Sequence, residues 1–370
     1  MNSKYSLKNI DIVNLLFLAL TPVAAIGFTY LWIARDGFDY RQIILGLFFY
    51  FLTGLSITAG YHRLFSHKAY DAHPFIKFLY LIFGAASFQN SILKWGSDHR
   101  RHHLKVDTEE DPYAINEGFF YAHVGWVFLK KNGVVNERYA KDYLNDPLIM
   151  WQHKYYLLIS VLVGIALPTF IGGYFLGSYL GGLAIGAFAR IVLTHHCTFF
   201  INSLCHYMGS TPYTDTNSAK DSWFMALLTF GEGYHNFHHY FQTDYRNGIR
   251  WFHFDPTKWL IRTLSFLGLT YKLKRTPQEK ILAAQMQMKV KELQKKISPS
   301  DTMLMEVEKL KAQVLETLNN LQALKAEYKA TKVREIKAKI ETTKEEFENC
   351  MEQWELLIRN YQMTPVSVRY

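Results

Sequence analysis

Cysteine is scarce in this chain, which limits the kinds of site that it can form. The 370 residues contain three cysteines, Cys197, Cys205 and Cys350. Their spacing matches no metal or redox motif, which argues against a disulfide framework, a cysteine zinc site and a four-cysteine iron–sulfur site. We therefore interpret all three as reduced packing residues.

The last part of the chain lacks two residue types that are common before it. From Pro277 to Tyr370 there is no glycine and no histidine, but there are 16 Lys/Arg and 14 Asp/Glu. All 15 histidines lie before Pro277, in a part that is apolar and aromatic. This change predicts a boundary between a membrane domain at 1–276 and a charged helical extension at 277–370.

Charge is absent from long stretches of the first part. Ile12–Ile33 and Gln42–Tyr61 are uncharged, and each is long enough, at about 20 residues, to cross a bilayer. The uncharged stretch 155–189 is too long for one straight span, and Pro168 predicts a break within it. We expect an all-α membrane protein with four spans, at about 12–33, 42–61, 155–172 and 178–196. The first span is too long for a signal-peptide core and no cleavage site follows it.

A fifth apolar stretch is shorter. Phe78–Leu93 has 16 residues and includes Gln89 and Asn90, so we expect it to be interfacial or re-entrant. With four spans, the loop 62–154 and the tail after 196 share one face, which is rich in lysine and arginine. The positive-inside rule then places that face in the cytoplasm. We expect both termini and the active site there, at the inner membrane of a bacterium or the endoplasmic reticulum of a eukaryote.

Nine histidines occur in four short motifs on this predicted cytoplasmic face. The motifs are HRLFSH, HRRHH, NSLCH and HNFHH, and they contain His62, His67, His99, His102, His103, His206, His235, His238 and His239. In HRRHH and HNFHH the spacing i, i+3, i+4 places the imidazoles on one helical face. Asn202 and His206, at i and i+4, likewise share one face of their own helix. The five-residue separation of His62 and His67 predicts that the helix bends or ends between them.

This collection of imidazoles indicates metal binding. Neutral imidazole is a common ligand for iron, copper and zinc. One zinc takes about four ligands, so nine histidines and a water held by Asn202 suit two metal ions with four or five ligands each. We interpret the other six histidines as packing or hydrogen-bonding residues, including His195, which lies on the helical face of Asn202 and His206.

Together these motifs resemble those of the membrane-bound fatty-acid desaturases, specifically the delta-9 acyl-CoA (stearoyl-CoA desaturase-like) branch. The resemblance runs from about Asn9 to Trp259. It is carried by HRLFSH, FQNSILKWGSDHRRHH, DPYAINEGFFYAHVGW, NSLCH, FGEGYHNFHH and WFHFDPTKW. The first motif lacks the H-D-x-G-H form of the acyl-lipid delta-12 relatives. The resemblance implies O2-dependent conversion of a saturated acyl chain to a monounsaturated one by two iron ions, held by the nine histidines and a water on Asn202.

The resemblance also implies positions for the substrate. Gln89, Trp95 and Thr198 match residues that shape the bend of a substrate tunnel, and Tyr50 and Gly54 match its closed end. Ordinary packing is the alternative for these residues and, for Gly54, close contact between helices. The positions that match the CoA headgroup site are Asn14, Asn90, Asp98, Lys130 and Lys131. Ser97 stands where the family often has arginine, so CoA, acyl carrier protein and glycerolipid remain open as carriers.

The two arginines of HRRHH point away from the metal face. Arg100 and Arg101 lie between ligand positions, so we expect them to contact lipid headgroups or to form salt bridges. The candidate partners are Asp107, Glu109, Glu110 and Asp111.

The extension after residue 276 has neither the H-P-G-G motif of a fused haem domain nor a histidine. We therefore expect a separate cytochrome or ferredoxin as electron donor. Apolar residues recur at 3–4 spacing in two tracts, which predicts coiled-coil-like seams. The tracts are Val307, Leu310, Val314, Leu321, Leu324 and Tyr328, then Ile336, Ile340, Phe347, Cys350, Trp354, Leu357 and Tyr361. Pro299 should separate them from the preceding helix, with Ser300 or Asp301 as N-cap. An antiparallel hairpin, self-association with another chain and a single solvated helix remain open.

Three other functions are compatible with the motifs. A di-iron hydroxylase or an acyl-lipid desaturase uses similar histidines, and a membrane scaffold or receptor is the non-enzymatic alternative. We expect a lipid membrane, and not nucleic acid, as the partner of the basic surface.

Overall fold

The computed structural model describes residues 7–295 and 302–363, with side chains described as far as Asn360. Most of these residues are helical, and the described strands are β1 (Asp71–Ala72) and β2 (Thr270–Tyr271). The two strands pair antiparallel, with Asp71 opposite Tyr271. The expected all-α class is therefore confirmed.

The described part of the chain contains the following α-helices, in chain order. The first eleven are α1 (Ile12–Asp36), α2 (Tyr40–Leu55), α3 (Pro74–Ala85), α4 (Ile92–Lys105), α5 (Phe119–His123), α6 (Lys141–Leu144), α7 (Pro147–Lys154), α8 (Tyr156–Val161), α9 (Leu167–Tyr174), α10 (Tyr179–Gly181) and α11 (Arg190–Tyr207). The other six are α12 (Trp223–Leu228), α13 (His235–Tyr240), α14 (Pro256–Phe266), α15 (Gln278–Gln294), α16 (Thr302–Thr331) and α17 (Arg334–Met363). Three π-helical segments, Ser56–Ser66, Leu162–Ala166 and Gly182–Ala189, continue α2, join α8 to α9 and join α10 to α11.

Within the described residues, four helical stretches are long and apolar enough to cross a membrane, as expected. They are Ile12–Asp36, Tyr40–Ser66, Tyr156–Tyr174 and Tyr179–Tyr207. The fourth is longer than the sequence indicated, and Asn202 and His206 lie within it instead of beyond it. The apolar helix α3 has 12 residues and is too short to span. The protein is therefore a multi-pass membrane protein with a partly buried α3 beside its four spans.

The π-helical end of the second span has a direct effect on the first histidine motif. The N–H of His67 donates to the carbonyl of His62 at 3.1 Å, an i to i+5 bond. A π-turn brings residues five apart closer to one side of the helix than an α-helix does. The helix ends at Ser66, and both imidazoles point to the same region.

The chain forms two compact units, and the four histidine motifs all belong to the first. This unit comprises Met1–Ser210 and Thr216–Arg275. Its largest apolar core joins the second span, α3, α4 and α14 and includes Tyr61, Leu81 and Ile261, which are 0% exposed. This core fixes the two helices that carry HRLFSH and HRRHH.

The second unit comprises Thr211–Asp215 and the residues from Thr276 onward. Helices α16 and α17 form an antiparallel hairpin, because Leu321 packs near the turn against Ile336 while Val307 packs at the far end with Trp354. Helix α15 adds Met286 to the same core. The apolar seams thus meet within one chain, although Pro299, Ser300, Asp301 and the Tyr361 side chain lie outside the described part.

Candidate metal centre

The nine histidines of the four motifs come together in two groups. In each group the ligand atoms lie within 4.8 Å of one another. The five-histidine group contains His62, His67, His99, His103 and His238, and the four-histidine group contains His102, His206, His235 and His239. Two neighbouring sets of imidazoles are the arrangement that two metal ions require.

Each H-x-x-H-H motif contributes to both groups. In α4, His99 and His103 join the five-histidine group while His102 joins the other. In α13, His235 and His239 join the four-histidine group while His238 joins the other. Residues four apart differ by about 40° around a helix and residues three apart by about 60° in the opposite sense, so one helical face can serve two adjacent centres.

Within each group the imidazoles face one another through their Nε2 atoms. The distances between Nε2 atoms are 2.9 Å for His62–His238 and 2.8 Å for His67–His99, and 3.0 Å for His206–His235. Two nitrogens bound at right angles to one metal, each at about 2.1 Å, would be about 3 Å apart. The donor geometry therefore fits one metal ion in each group.

Three clustered histidines outside the membrane spans are held neutral. Burial, and then the charge of neighbouring histidines, lowers the pKa of His67, His99 and His103 well below the ordinary value. A neutral imidazole has one N–H and one free lone pair, and the lone pair is what a metal binds. Lone pairs that face one another with no proton between them are stabilised by a cation that all of them contact.

Carboxylates outside the two groups orient some of these rings. His62 Nδ1 lies 2.9 Å from Glu232 Oε2, and His102 Nδ1 lies 2.9 Å from Asp111 Oδ1. An Nδ1–H donated to a carboxylate leaves the Nε2 lone pair free for a metal. Sequence reasoning missed Glu232, although an acid three residues before His235 in the apolar FGEGY was an available signal.

Glu232 belongs to a buried ionic network. Arg63 donates to Glu232 Oε1 at 2.9 Å and to Asp255 Oδ2 at 3.1 Å, and Asn247 donates to Glu232 Oε2 at 2.7 Å. Burial alone would raise the pKa of Glu232, but His62 and Arg63 outweigh it and lower this pKa to about 2. Glu232 is thus ionised and ready to accept from His62.

The arginines of HRRHH turn away from the metal groups, but the expected partners were wrong. Arg100 pairs with Asp142 at 2.6 Å, and Arg101 donates to Asn132 at 3.5 Å. Among the expected partners, Asp111 accepts from His102 and Glu110 pairs with Lys105. Asp142 is 42 residues from Arg100 in sequence, and only the folded loop brings the two together.

A cavity of about 320 Å³ reaches both histidine groups. It is lined by His62 and His99 of the five-histidine group and by His102 and His235 of the other. Nine other residues singled out from the sequence line it as well, namely Asn14, Tyr50, Gly54, Gln89, Asn90, Trp95, Asp98, Thr198 and Asn202. Lys130 and Lys131 are not in the lining, and Lys130 donates to the carbonyl of Lys8 at 3.0 Å.

A chain of hydrogen bonds crosses the cavity wall beside the five-histidine group. Trp95 donates to Gln89 at 3.4 Å, and Gln89 donates to Thr198 at 2.9 Å. The Trp95 ring stacks on His99, with centroids 4.9 Å apart and planes inclined by 23°. These bonds link α4 and α11 through the turn that follows α3.

Polar residues line another part of the cavity. Asp98 forms an ion pair with Lys94, and both are buried. Asn14 donates to Asp11 at 3.2 Å and to the Val127 carbonyl at 3.3 Å. This wall therefore holds a buried carboxylate and a half-buried amide, in contrast to the apolar wall formed by α2.

Phe230 is a lining residue that sequence reasoning missed. Its ring lies 5.0 Å from that of Tyr50, and a Cβ placed on Gly54 would be 2.1 Å from its Cε2 atom. Phe230 has a φ of +56°, an unusual conformation for a bulky residue. No local sequence pattern marks such a residue.

His195 lies outside both groups. Its Nε2 atom lies 2.9 Å from the Ser87 carbonyl, so this ring joins α11 to the turn after α3. His123 and His196 contact each other through ring nitrogens 3.1 Å apart. Neither is one of the nine clustered histidines.

Comparison with known proteins agrees with this arrangement. The family model for fatty acid desaturase matches residues 41–273. The chain is 41% identical over 290 residues to Acyl-CoA desaturase 1 of Saccharomyces cerevisiae, covering 78% of this chain and 56% of that protein. It is 34% identical over 291 residues to human Stearoyl-CoA desaturase, covering 76% of this chain and 77% of the relative.

A bacterial relative has a different name. The sn-1 stearoyl-lipid 9-desaturase of Anabaena variabilis is 33% identical over 244 residues, which are 65% of this chain and 86% of the relative. The chain spans just over half the length of the Saccharomyces protein and most of the length of the human and Anabaena proteins. The residues matched by the family model include all nine clustered histidines, and the chain belongs to the fatty acid desaturase family.

Proposed function

We propose that this protein is an O2-dependent fatty-acyl desaturase that introduces a delta-9 double bond into a saturated acyl chain, with acyl-CoA as substrate and two iron ions as cofactor. The observation that carries the proposal is the cavity that reaches both histidine groups. The names of the yeast and human relatives support both the reaction and the carrier.

The nine clustered histidines would hold the two iron ions, with Asn202 holding a water beside them. Bound iron would supply the oxidising power needed to remove two hydrogens from an unactivated chain. The protein buries the imidazoles, orients His62 and His102 through Glu232 and Asp111, and provides a cavity beside both histidine groups. Exclusion of water strengthens these electrostatic interactions.

The position of the double bond would be set by the cavity wall next to the five-histidine group. Trp95 stacks on His99 and is tied through Gln89 to Thr198. A wall that is hydrogen-bonded across two helices holds a flexible chain in one orientation. Tyr50, Gly54 and Phe230 would form the closed end, where the methyl terminus of the chain stops.

The headgroup would be bound at the polar wall. Asn14, Asn90 and Asp98 line the cavity, whereas Lys130 and Lys131 are on the surface, where lysines suit phosphate groups as mobile charges. The Anabaena relative acts, by its name, on a lipid, so an acyl-lipid substrate is the second candidate. Parallel assays with stearoyl-CoA and with stearoyl glycerolipid in the same membranes separate the two by which is converted.

Electrons would reach the centre from a separate cytochrome or ferredoxin on a cytoplasmic face. The lysine- and arginine-rich loops between the second and third spans support this orientation under the positive-inside rule. Basic surface attracts an acidic donor. Purified iron-loaded protein with substrate and O2 should turn over only when such a donor is added, and sustained turnover with a nicotinamide cofactor alone would contradict it.

The direct test is expression in cells that cannot make monounsaturated fatty acids. We expect growth without added unsaturated fatty acid, and a product two hydrogens lighter than its substrate with the double bond at carbon 9. A product that instead gains one oxygen would indicate a hydroxylase, and the absence of any product from iron-loaded protein would favour a scaffold.

A matched pair of histidine variants tests the metal centre. His235→Ala should lose iron and activity because His235 belongs to the four-histidine group. His196→Ala is the control, since that ring contacts His123 and belongs to neither group. Normal iron content and activity in His235→Ala would exclude this dimetal site.

A further inference from the structure

The ring of His206 is oriented by a hydroxyl group instead of a carboxylate. His206 Nδ1 lies 2.7 Å from Ser218 Oγ, and Ser218 Oγ lies 2.5 Å from Asp107 Oδ1. The backbone N–H of Ser218 also donates to Asp107 Oδ2 at 2.7 Å. Ser218 is therefore fixed by both oxygens of one carboxylate while its hydroxyl contacts the imidazole.

The chemistry of these groups assigns the direction of the hydrogen bonds. An ionised carboxylate accepts and does not donate, and a serine hydroxyl has one proton. Ser218 therefore donates to Asp107 and must accept from His206, which carries its proton on Nδ1. The Nε2 lone pair of His206 is left free, and this atom lies 3.0 Å from Nε2 of His235 in the four-histidine group.

Asp107 is itself firmly positioned. It follows α4 with a φ of +63°, a conformation that aspartate tolerates better than most residues. Its N–H donates to Asp111 Oδ2 at 3.2 Å, and its carbonyl accepts from Asn116 Nδ2 at 2.9 Å. The turn after α4 thus carries Asp111, which contacts His102, and Asp107, which contacts the Ser218 hydroxyl beside His206.

We propose that Asp107 and Ser218 are positioning residues that set the tautomer of His206 and thereby the metal affinity of the four-histidine group. This inference rests on the proposed dimetal centre. No atom of the pair belongs to either histidine group, so the pair acts through His206. Loss of such an outer partner typically weakens metal binding by about 10- to 100-fold.

The experiment measures metal retention, independently of turnover. The full-length protein, purified in detergent and loaded anaerobically with Fe²⁺ alone, is challenged with a chelator over time, and bound iron per chain is measured. The parent should hold about two irons per chain. Ser218→Ala should release about one of them roughly 10- to 100-fold faster than the parent does, and should keep the other. Ser210→Ala is the matched control on the same loop, because among the described residues its hydroxyl donates to the Asp221 carbonyl at 3.4 Å and has no contact with a histidine.

Two further variants test the direction of the bonds. Asp107→Asn has nearly the same shape, but its amide can donate to Ser218, whose proton would then turn to His206 Nδ1 and favour the wrong tautomer. We expect Asp107→Asn to release iron as Ser218→Ala does. Ser218→Thr keeps the hydroxyl and should retain iron as the parent does.

Each outcome bears on the proposal. Parent-like release in Ser218→Ala, or in a folded Asp107→Asn, would overturn it, as would loss of both irons in these variants, since that indicates general destabilisation. A parent protein that binds no iron would overturn the proposed function as well. A parent that binds two and variants that also hold two equally firmly would overturn only the role of Asp107 and Ser218.

Discussion

Gly54 is the position where a single methyl group should change the chain length that the protein accepts. A Cβ at Gly54 would lie 2.1 Å from Cε2 and 2.7 Å from Cζ of Phe230. Ordinary van der Waals contact begins at 3.4 Å, so the ring has to move. Phe230 is 5% exposed and packs against Tyr50 and Cys197, so the ring has little room to move except toward the cavity that it lines.

The magnitude follows from this overlap. Overpacking a buried site costs about 1–3 kcal/mol, which should lower the melting temperature of Gly54→Ala by a few degrees without preventing folding. A ring displaced into the cavity shortens the space for the methyl end of the chain. We expect Gly54→Ala to raise the ratio of 16-carbon to 18-carbon monounsaturated products by several-fold and Gly54→Phe to raise it further, with normal iron content.

The assay is fatty-acid analysis of cells that express each variant, with equal supply of both saturated precursors. Gly46→Ala is the control on the same helix, because its Cβ would meet Ile185 Cγ2 at 2.7 Å, and Gly46 does not line the cavity. The reasoning is refuted if folded Gly54→Ala leaves the product ratio unchanged, or if Gly46→Ala shifts it equally.

Three other expectations concern the loops, the cavity wall and the extension. Burial would raise the pKa of Asp142, but hydrogen bonds from Arg100 and Lys68 outweigh it and hold the pKa well below the ordinary value. The ionised carboxylate therefore stabilises the folded protein above about pH 4, and this stabilisation is lost as the pH falls further. The melting-temperature difference between parent and Asp142→Asn should shrink from pH 7 to pH 3. Trp95→Phe keeps an aromatic ring on His99 but loses the N–H that reaches Gln89, so double-bond positions in the product should become less uniform, and an unchanged distribution would show that this bond is dispensable. A chain that ends at Thr276 lacks only the extension and should still desaturate, and total loss of activity in a membrane-inserted, iron-loaded form would contradict this. Self-association through the extension remains a prediction, and sedimentation of the full chain against the shortened one tests it.

The membrane spans could be predicted from the sequence because the physical rule behind them is local. A long apolar stretch without charge, such as Ile12–Ile33, inserts favourably into hydrocarbon whatever the rest of the chain does. Helical periodicity is equally local, and it correctly placed His99, His102 and His103 on one side of α4. The absence of charge does not fix where a span ends. The fourth span extends to Tyr207 because polar residues such as Asn202 face the cavity and not the lipid.

The division of the histidines into two groups could not be predicted in the same way. It depends on how α4 and α13 face each other, so that His103 meets His238 while His102 meets His239. These contacts join residues 135 and 137 positions apart. The π-helical turn that aligns His62 with His67 also left no recognisable pattern, and the sequence indicated only that the helix bends or ends there.

Gly54 shows why two interpretations of one residue need not compete. From the sequence, it was either a small residue that permits close packing or part of the closed end of a tunnel. The structure places a buried ring against its α-carbon and the same ring in the wall of the cavity. Close packing is therefore the means by which Phe230 reaches the cavity, and a residue larger than glycine at position 54 must alter both the packing and the space within the cavity.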